Sequence, residues 1–156
     1  MSFASLGLSE ALVSAIEAAG YTQPTPVQQR AIPAVLDGSD VIGCAQTGTG
    51  KTAAFALPII SRLAEHRRTP RALILAPTRE LALQVQESFE TYAAGTDLRV
   101  VTIYGGVSIV PQKQAIQRGV DIIVATPGRM LDLLQQKAVV LRDVRFLVLD
   151  EADRML

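Results

Sequence analysis

Five short apolar runs, each followed or preceded by a stretch of helical period, constrain the fold of this chain more than any other feature of its sequence. The runs are rich in β-branched residues and nearly continuous in hydrophobicity, which is typical of strands buried on both faces. Alternation of such strands with helices predicts a parallel α/β sheet flanked by helices on both faces. The predicted strands are Asp40–Ala45, Arg71–Ala76, Arg99–Tyr104, Asp121–Thr126 and Val144–Asp150.

The segments between these runs carry apolar residues at spacings of three and four, which predicts helices. Gly20 is placed to end the first of them, and Thr25-Pro26 has the pattern of an N-cap followed by proline at the first helical position. Ligands of parallel sheets bind at the carboxyl ends of the strands, so the residues that follow each strand are candidates for function. The predicted helices cover Ser9–Ala19, a segment from Thr25 onward, Lys51–Glu65, Thr78–Ala94, Val110–Arg118 and Pro127–Gln136.

Composition excludes several classes of protein. Hydrophobic residues make up 49% of the 156 residues, which is too many for a disordered chain, yet no apolar run approaches the roughly 18 residues of a membrane span. The single cysteine, Cys44, excludes an internal disulfide, and with one histidine a structural zinc site is not expected. We expect a monomeric cytoplasmic protein without a signal peptide, in which Cys44 is a small buried residue and His66 is a solvated loop residue.

The segment after the first predicted strand has the pattern of a phosphate-binding loop. It nearly matches G-x-x-x-x-G-K-[ST], with Ala45 in place of the first glycine. Its glycines allow a tight turn whose N–H groups, with the positive end of the following helix dipole, face phosphate oxygens. A glycine-rich turn that only connects strand and helix is the alternative, but the strand–helix context favours nucleotide binding. The residues concerned are Gln46, Thr47, Gly48, Thr49, Gly50, Lys51, which would reach the β- and γ-phosphates, and Thr52, which would bind Mg²⁺.

The last predicted strand runs into an acidic motif, Asp150-Glu151-Ala152-Asp153. In phosphate-loop proteins, an aspartate at the end of an apolar strand holds Mg²⁺, often through water. Glu151 is suited to polarise an attacking water as a general base. An ordinary acidic loop is the alternative for Asp150 taken alone, and the phosphate loop upstream favours the catalytic interpretation.

Taken together and in this order, the motifs of this chain resemble those of the DEAD-box ATP-dependent RNA helicases. Besides the phosphate loop and the acidic motif, four segments carry the resemblance along the whole chain: the Q motif Gly20–Gln28, the motif Ia segment Pro77–Ala82, the double glycine Gly105-Gly106 and the motif Ib segment Thr126–Arg129. Met1-Ser2-Phe3 and Gly105–Ile109 are most similar to the bacterial RhlE-type branch. The resemblance implies a RecA-like fold, ATP and Mg²⁺ as cofactors, and RNA as a partner.

In the Q motif, the resemblance implies that Gln28 recognises the adenine edge, because an amide can donate and accept hydrogen bonds at once. It further implies that Tyr21 stacks on the base and that Phe3 contributes on the same side. The residues alone favour another interpretation, since Thr25-Pro26-Val27-Gln28 is also a capping box at a helix start. One glutamine can have both roles.

The remaining motifs imply contacts with the RNA backbone. Helix N-termini and glycines let a sugar-phosphate strand approach main-chain N–H groups, which would give little sequence preference and no need for a basic stripe in a chain of zero net charge. Instead of an RNA contact, Thr78 can have the role of a helix cap, and Arg79 can pair with a group inside the protein. The implied RNA-binding residues are Pro77, Thr78, Arg79, Glu80, Gly105, Gly106, Thr126, Pro127, Gly128 and Arg129.

The resemblance also implies a domain organisation. Residues 1–37 would form a helical region with the Q motif, and residues 38–156 a RecA-like core that is incomplete at its C-terminal end. In the family, a Ser-Ala-Thr motif and a second RecA-like domain follow, and Asp153 would couple to them. We therefore expect this chain to bind ATP-Mg and RNA backbone, and hydrolysis and unwinding to need the second domain. A non-catalytic nucleotide- or RNA-binding module and another phosphate-loop ATPase are the alternatives.

Overall fold

A computed structural model of the chain describes residues 1–44 and 50–155 and divides them into two compact units. Unit 1 comprises Met1–Ala64 with Thr91–Thr96, and unit 2 comprises Glu65–Glu90 with Asp97–Leu156. The predicted division at residue 38 does not coincide with these units and stays a prediction. None of the helices in the described part of the chain is long and apolar enough to cross a membrane.

Unit 1 is built of helices. A short 3₁₀ turn at Phe3–Leu6 precedes three helices, α1 (Glu10–Ala18), α2 (Pro26–Leu36) and α3 (Lys51–Leu63). The predicted start of α2 is confirmed, because Thr25 caps it and proline occupies its first turn. α2 packs against α3, and the carbonyl oxygen of Leu36 accepts a hydrogen bond from the guanidinium of Arg62.

Unit 2 contains a parallel sheet, as predicted, and it is built of four of the five predicted strands. The strands are β1 (Ala72–Leu75), β2 (Val100–Ile103), β3 (Ile122–Ala125) and β4 (Phe146–Leu149), in the spatial order β2-β3-β1-β4. The intervening helices are α4 (Arg79–Tyr92), α5 (Val110–Arg118) and α6 (Pro127–Gln135), and a 3₁₀ turn follows at Ala152–Met155. Because all strands run in one direction, their carboxyl ends meet at one edge of the sheet.

Helices cover both faces of this sheet. On one face, Leu73 and Ile123, which are paired in register, belong to an apolar cluster with Met130 and Leu133 of α6 and Ile116 of α5. On the other face, the side chain of Thr102 in β2 hydrogen-bonds Gln86 of α4. At the edge strand β4, Leu147 and Leu149 remain more than half exposed.

The first predicted strand, Asp40–Ala45, is wrong for its described residues. Residues 40–44 form no strand, and Ile42 is 96% exposed. An apolar run becomes a strand only where a neighbour pairs with it, and the four paired strands all lie between residues 72 and 149. The expectation that Cys44 is buried is wrong for the same reason, because its side chain is exposed.

At the amino edge of the sheet, the buried carboxylate of Asp121 joins the segments that lead into three strands. It accepts the main-chain N–H groups of Arg67 and Arg99, each at 2.8 Å, and pairs with Arg71 and His66, each at 2.6 Å. Burial alone would raise the pKa of this carboxyl, but these donors outweigh it and hold the pKa below its ordinary value. The expectation that His66 is a solvated loop residue is therefore wrong.

Candidate nucleotide and RNA site

Four of the motif segments lie at the carboxyl edge of the sheet in unit 2. Because each follows a strand of the same parallel sheet, β1 to β4 bring them side by side in spatial rather than sequence order. Main-chain hydrogen bonds between neighbouring strands continue into two of these segments. The N–H of Thr126 donates to the carbonyl of Ile103 and the N–H of Asp150 to the carbonyl of Leu75, both at 2.9 Å. The segments are Pro77–Glu80 after β1, Tyr104–Ser108 after β2, Thr126–Arg129 after β3 and Asp150–Asp153 after β4.

The motif Ia segment has the helix-start role that its residues favoured. The hydroxyl of Thr78 accepts the N–H of Leu81 at 3.2 Å, so Thr78 caps α4. Arg79 and Glu80 are exposed in the first turn. The guanidinium carbon of Arg79 lies 4.7 Å from the ring centroid of Tyr104, a cation–π contact. Arg79 is thereby held beside the loop that carries the double glycine.

Motif Ib and the double-glycine loop are joined by a polar network that we did not predict. The guanidinium of Arg129 donates to the carbonyl of Val107 at 2.9 Å and to Oε1 of Gln112 at 3.0 Å, and its Nε lies 3.7 Å from Asp132. Nε2 of Gln112 in turn donates to the carbonyl of Tyr104 at 3.0 Å. Gln112 thus connects both ends of the loop around Gly105-Gly106, directly at Tyr104 and through Arg129 at Val107. The guanidinium of Arg129 is engaged by partners within the protein.

One sequence signal could have found Gln112. It lies three residues after Ile109 and four before Ile116, on the same helix face as these apolar residues, and it is the only residue of α5 that is buried. A polar residue on the inward face of an amphipathic helix needs hydrogen-bond partners, which marks it as the centre of a network.

The acidic motif begins where β4 ends. Asp150 is half-buried, Glu151 has a left-handed backbone with φ of 50°, and Asp153 is exposed in the final 3₁₀ turn. Oε1 of Glu151 lies 3.7 Å from the guanidinium of Arg154, one turn further on. A left-handed non-glycine residue costs free energy that the surrounding structure must offset, and such residues are frequent at functional sites.

In unit 1, the side chain of Gln28 connects two helix starts. Its Oε1 accepts the N–H of Thr25 at 3.0 Å, while the hydroxyl of Thr25 accepts the N–H of Gln28, which completes the predicted capping box of α2. Its Nε2 donates to the carbonyl of Gly50 at 3.2 Å. Gly50 caps α3 with φ of 83°, so the end of the phosphate-loop motif is held against the Q motif.

The space at Gly50 admits no side chain. A Cβ on Gly50 would overlap Nε2 of Gln28 and lie 3.2 Å from its Cδ, and the backbone is in the region that favours glycine. Lys51 and Thr52 follow as the first residues of α3, both half-buried. The predicted phosphate ligands Gln46, Thr47, Gly48 and Thr49, and Ala45 before them, lie outside the described residues.

The two predicted aromatic residues of the Q motif differ in exposure. Tyr21 is 40% exposed and meets Tyr92 edge-on, with ring centroids 5.7 Å apart. Burial, a hydrogen bond with Tyr21 and the proximity of that phenol raise the pKa of Tyr92 to about 12. Phe3 is 1% exposed, so its ring has no open face for a base, and its role is packing. We leave Phe3 out of the nucleotide site.

Comparison with known proteins gives a consistent result. Residues 25–156 match the family model described as DEAD/DEAH box helicase. The chain is 49% identical over 156 residues to a protein of Streptococcus pneumoniae named DEAD-box ATP-dependent RNA helicase CshA, covering 100% of this chain and 30% of the relative. It is 51% identical over 155 residues to the ATP-dependent RNA helicase DeaD of Mycobacterium tuberculosis, covering 99% of this chain and 28% of the relative.

A solved structure agrees with the fold. The crystal structure of a DEAD box protein from the hyperthermophile Methanococcus jannaschii superimposes with a TM-score of 0.93 at 40% identity. The match covers 99% of this chain and 42% of that protein. The fold is therefore RecA-like, as predicted, and the chain spans about 30% of the length of the curated relatives it matches.

Substitution of Gly50 tests the contact between the two helix starts. Gly50→Ala is expected to lower the free energy of unfolding in two ways, through a left-handed alanine, about 1–2 kcal/mol, and through displaced hydrogen bonds of the buried Gln28 amide, about a further 1–3 kcal/mol. Gly38→Ala is the matched control, because Gly38 has φ of 85° and open space around it. Urea denaturation of both variants measures the difference.

The same pair of variants in a Gln28→Ala background completes the test. If the Gln28 contact causes the extra cost, Gly50→Ala and Gly38→Ala become equally destabilising there. An extra cost of Gly50→Ala that persists without the Gln28 side chain would contradict the proposed contact.

Substitution of Gln112 tests the network at the double-glycine loop. Gln112→Leu leaves the carbonyl of Tyr104 and one edge of the Arg129 fork without their partner, so the free energy of unfolding should fall by about 1–3 kcal/mol. Gln114→Leu makes the same change at an exposed position of α5 and should stay within about 0.5 kcal/mol of wild type. Equal stability of the two variants in urea denaturation would show that the network contributes nothing.

Proposed function

Because this chain belongs to the DEAD/DEAH box helicase family, we propose that it is the ATP-binding RecA-like domain of an ATP-dependent RNA helicase. The observation that carries the proposal is the hydrogen bond from Gln28 to Gly50, which joins a base-reading amide to the end of the phosphate-loop motif. The names of the relatives from Streptococcus and Mycobacterium support the same activity. The assignment to the RhlE-type branch stays a prediction.

For the nucleotide, Gln28 reads the adenine edge and Tyr21 offers an exposed ring for stacking. The oxygen of the Gln28 amide already accepts a hydrogen bond from Thr25, and its nitrogen donates one to Gly50. Adenine binding therefore adds to these hydrogen bonds or replaces them. Gln46, Thr47, Gly48, Thr49 and Gly50 supply main-chain donors to the phosphates, and Lys51 supplies a positive charge at the start of α3. Their order along the chain supports this assignment.

For the metal, Thr52 and Asp150 are the proposed Mg²⁺ ligands. A hydroxyl and a carboxylate are hard oxygen donors of the kind Mg²⁺ prefers, and it commonly takes few protein ligands together with phosphate oxygens and water. Among the described residues, no group of three or more histidine, cysteine or acidic side chains is placed to hold a metal ion. When bound, Mg²⁺ neutralises charge that develops on the phosphates.

For catalysis, Glu151 is the proposed general base and Lys51 stabilises the transferred phosphoryl group. The guanidinium of Arg154 lies 3.7 Å from the Glu151 carboxylate. Asp153 is exposed and available for coupling to the second RecA-like domain of the whole protein. The resemblance to the family implies that arginines of that domain complete the ATP site, and we propose that hydrolysis and unwinding belong to the whole protein.

For RNA, the carboxyl edge of the sheet supplies main-chain and side-chain contacts to the sugar-phosphate backbone. Thr78 and Thr126 begin helices whose N–H groups face phosphate, and Gly105 and Gly106 permit close approach. Arg79 is exposed for a phosphate contact, while Arg129, with its internal partners, positions the double-glycine loop. Pro77, Glu80, Pro127 and Gly128 shape these segments. We further propose a monomer in the cytoplasm, a reducing compartment that suits the single cysteine.

Titration with fluorescent ADP and Mg²⁺, competed by ATP and by GTP, tests the nucleotide site. Wild type should prefer adenine nucleotides, and Gln28→Ala should lose that preference while retaining phosphate-dependent affinity. Thr25→Ala separates the two roles of Gln28, because it removes a helix cap worth about 1 kcal/mol but keeps the amide. Equal preference in wild type and Gln28→Ala would return Gln28 to a capping role alone, and absence of binding to folded wild type would contradict the nucleotide site.

A further inference from the structure

We propose that the amino edge of the sheet in unit 2 carries a second contact for the RNA backbone, formed by Arg67, Arg68, Arg99 and Arg118. We refer to these four residues as the amino-edge arginines. The inference rests on the proposed function, since it takes RNA as the ligand of this family member. It concerns the edge opposite to the motifs, about 13 Å away along strands of four residues.

The amino-edge arginines converge through specific contacts. The guanidinium groups of Arg68 and Arg99 both point at the carbonyl oxygen of Arg118, each at 3.4 Å. Two positive charges are therefore held close together around the carbonyl oxygen of Arg118. The exposed side chain of Arg118 adds a third positive charge from the same residue. Like charges in such an arrangement repel, and an anion placed between them relieves the repulsion.

The backbone beneath these arginines is held in place. Arg68 has a left-handed backbone with φ of 73°, and its Cα and Cβ lie about 3 Å from the position that a Cβ on Gly119 would occupy. The buried Asp121 carboxylate anchors the adjoining segments by accepting the N–H groups of Arg67 and Arg99. The arginines thus extend from a fixed frame, which lowers the entropy that binding would cost.

The charges at this edge do not cancel. Arg67 pairs with Glu65 at 3.3 Å, but no carboxylate lies within ion-pair distance of Arg68, Arg99 or Arg118 among residues 1–44 and 50–155. The other exposed acid here, Asp97, accepts the N–H of His66. Asp121 is buried and has its own donors. The amino-edge arginines therefore give a local excess of positive charge on a chain of zero net charge.

The chemistry of this surface favours a phosphate backbone over a protein. None of the large exposed hydrophobic residues of the described chain falls within residues 65–71, 95–99 or 117–121. A protein interface needs an apolar centre, whereas polyanion binding needs only charge and phosphate-matching donors. Arginine forks match two phosphate oxygens at once, and all four cations of the cluster are arginines.

The test measures binding of this chain to fluorescein-labelled poly-uridine by anisotropy across a range of salt concentrations. Each phosphate contact with single-stranded RNA contributes about 0.7 to the slope of log affinity against log salt. Arg68→Gln together with Arg99→Gln removes two charges but keeps side chains that can donate to the Arg118 carbonyl, so the slope should fall by about 1.4. Arg30→Gln, at an exposed position of α2 in unit 1, should leave the slope unchanged.

The outcomes separate this inference from the proposed function. RNA binding by wild type with the same slope in the double variant would overturn the amino-edge contact and leave the RNA site at the carboxyl edge intact. Labelled polyglutamate is titrated in the same way, and loss of its binding in the double variant, with RNA binding unchanged, would overturn the RNA contact and assign the arginines to an acidic protein. Absence of RNA binding by wild type would contradict the inference together with the RNA part of the proposed function. Circular dichroism of each variant verifies that it is folded.

Discussion

The common direction of four paired strands is the constraint on which the functional surface of unit 2 depends. Parallel pairing in the order β2-β3-β1-β4 brings together segments that lie up to about seventy residues apart in sequence. One edge of the sheet then carries helix starts and glycines that suit a sugar-phosphate backbone. The other edge carries the buried Asp121 and the amino-edge arginines. The common direction of the strands therefore gives the two edges of the sheet different chemistry.

In unit 1, the side-chain amide of Gln28 connects segments that are distant in sequence, as the paired strands do in unit 2. Gln28 accepts a main-chain hydrogen bond at the start of α2 and donates one to the carbonyl of Gly50 at the start of α3. This contact needs a glycine at position 50, because a Cβ there would overlap the Gln28 amide. The capping interpretation and the base-reading interpretation are therefore not exclusive. In the proposed function, a base bound at Gln28 would exchange or share one of these two partners, and the contact at Gly50 would link it to the end of the phosphate-loop motif.

Much of this structure could be predicted from the sequence because its signals are local. Four strands and their helices follow from apolar periodicity, and the capping box at Thr25 follows from side-chain chemistry. The errors concern residues whose environment depends on distant partners. Residues 40–44 have the composition of a strand but no paired neighbour, and His66 meets a carboxylate 55 residues away. Gln112 was missed because its hydrogen-bond partners come from the loop after β2 and from α6.

We propose that the Gln28 amide is shared between the protein and an adenine base. ¹⁵N NMR of the Gln28 side-chain NH₂, identified by its absence in Gln28→Ala, tests this claim during titration with ADP-Mg or GDP-Mg. ADP is expected to shift the resonance, because the amide exchanges or shares a partner, whereas GDP is expected to leave it near its starting position. An unchanged resonance at saturating ADP would contradict the claim, since Gln28 would then be a structural link only.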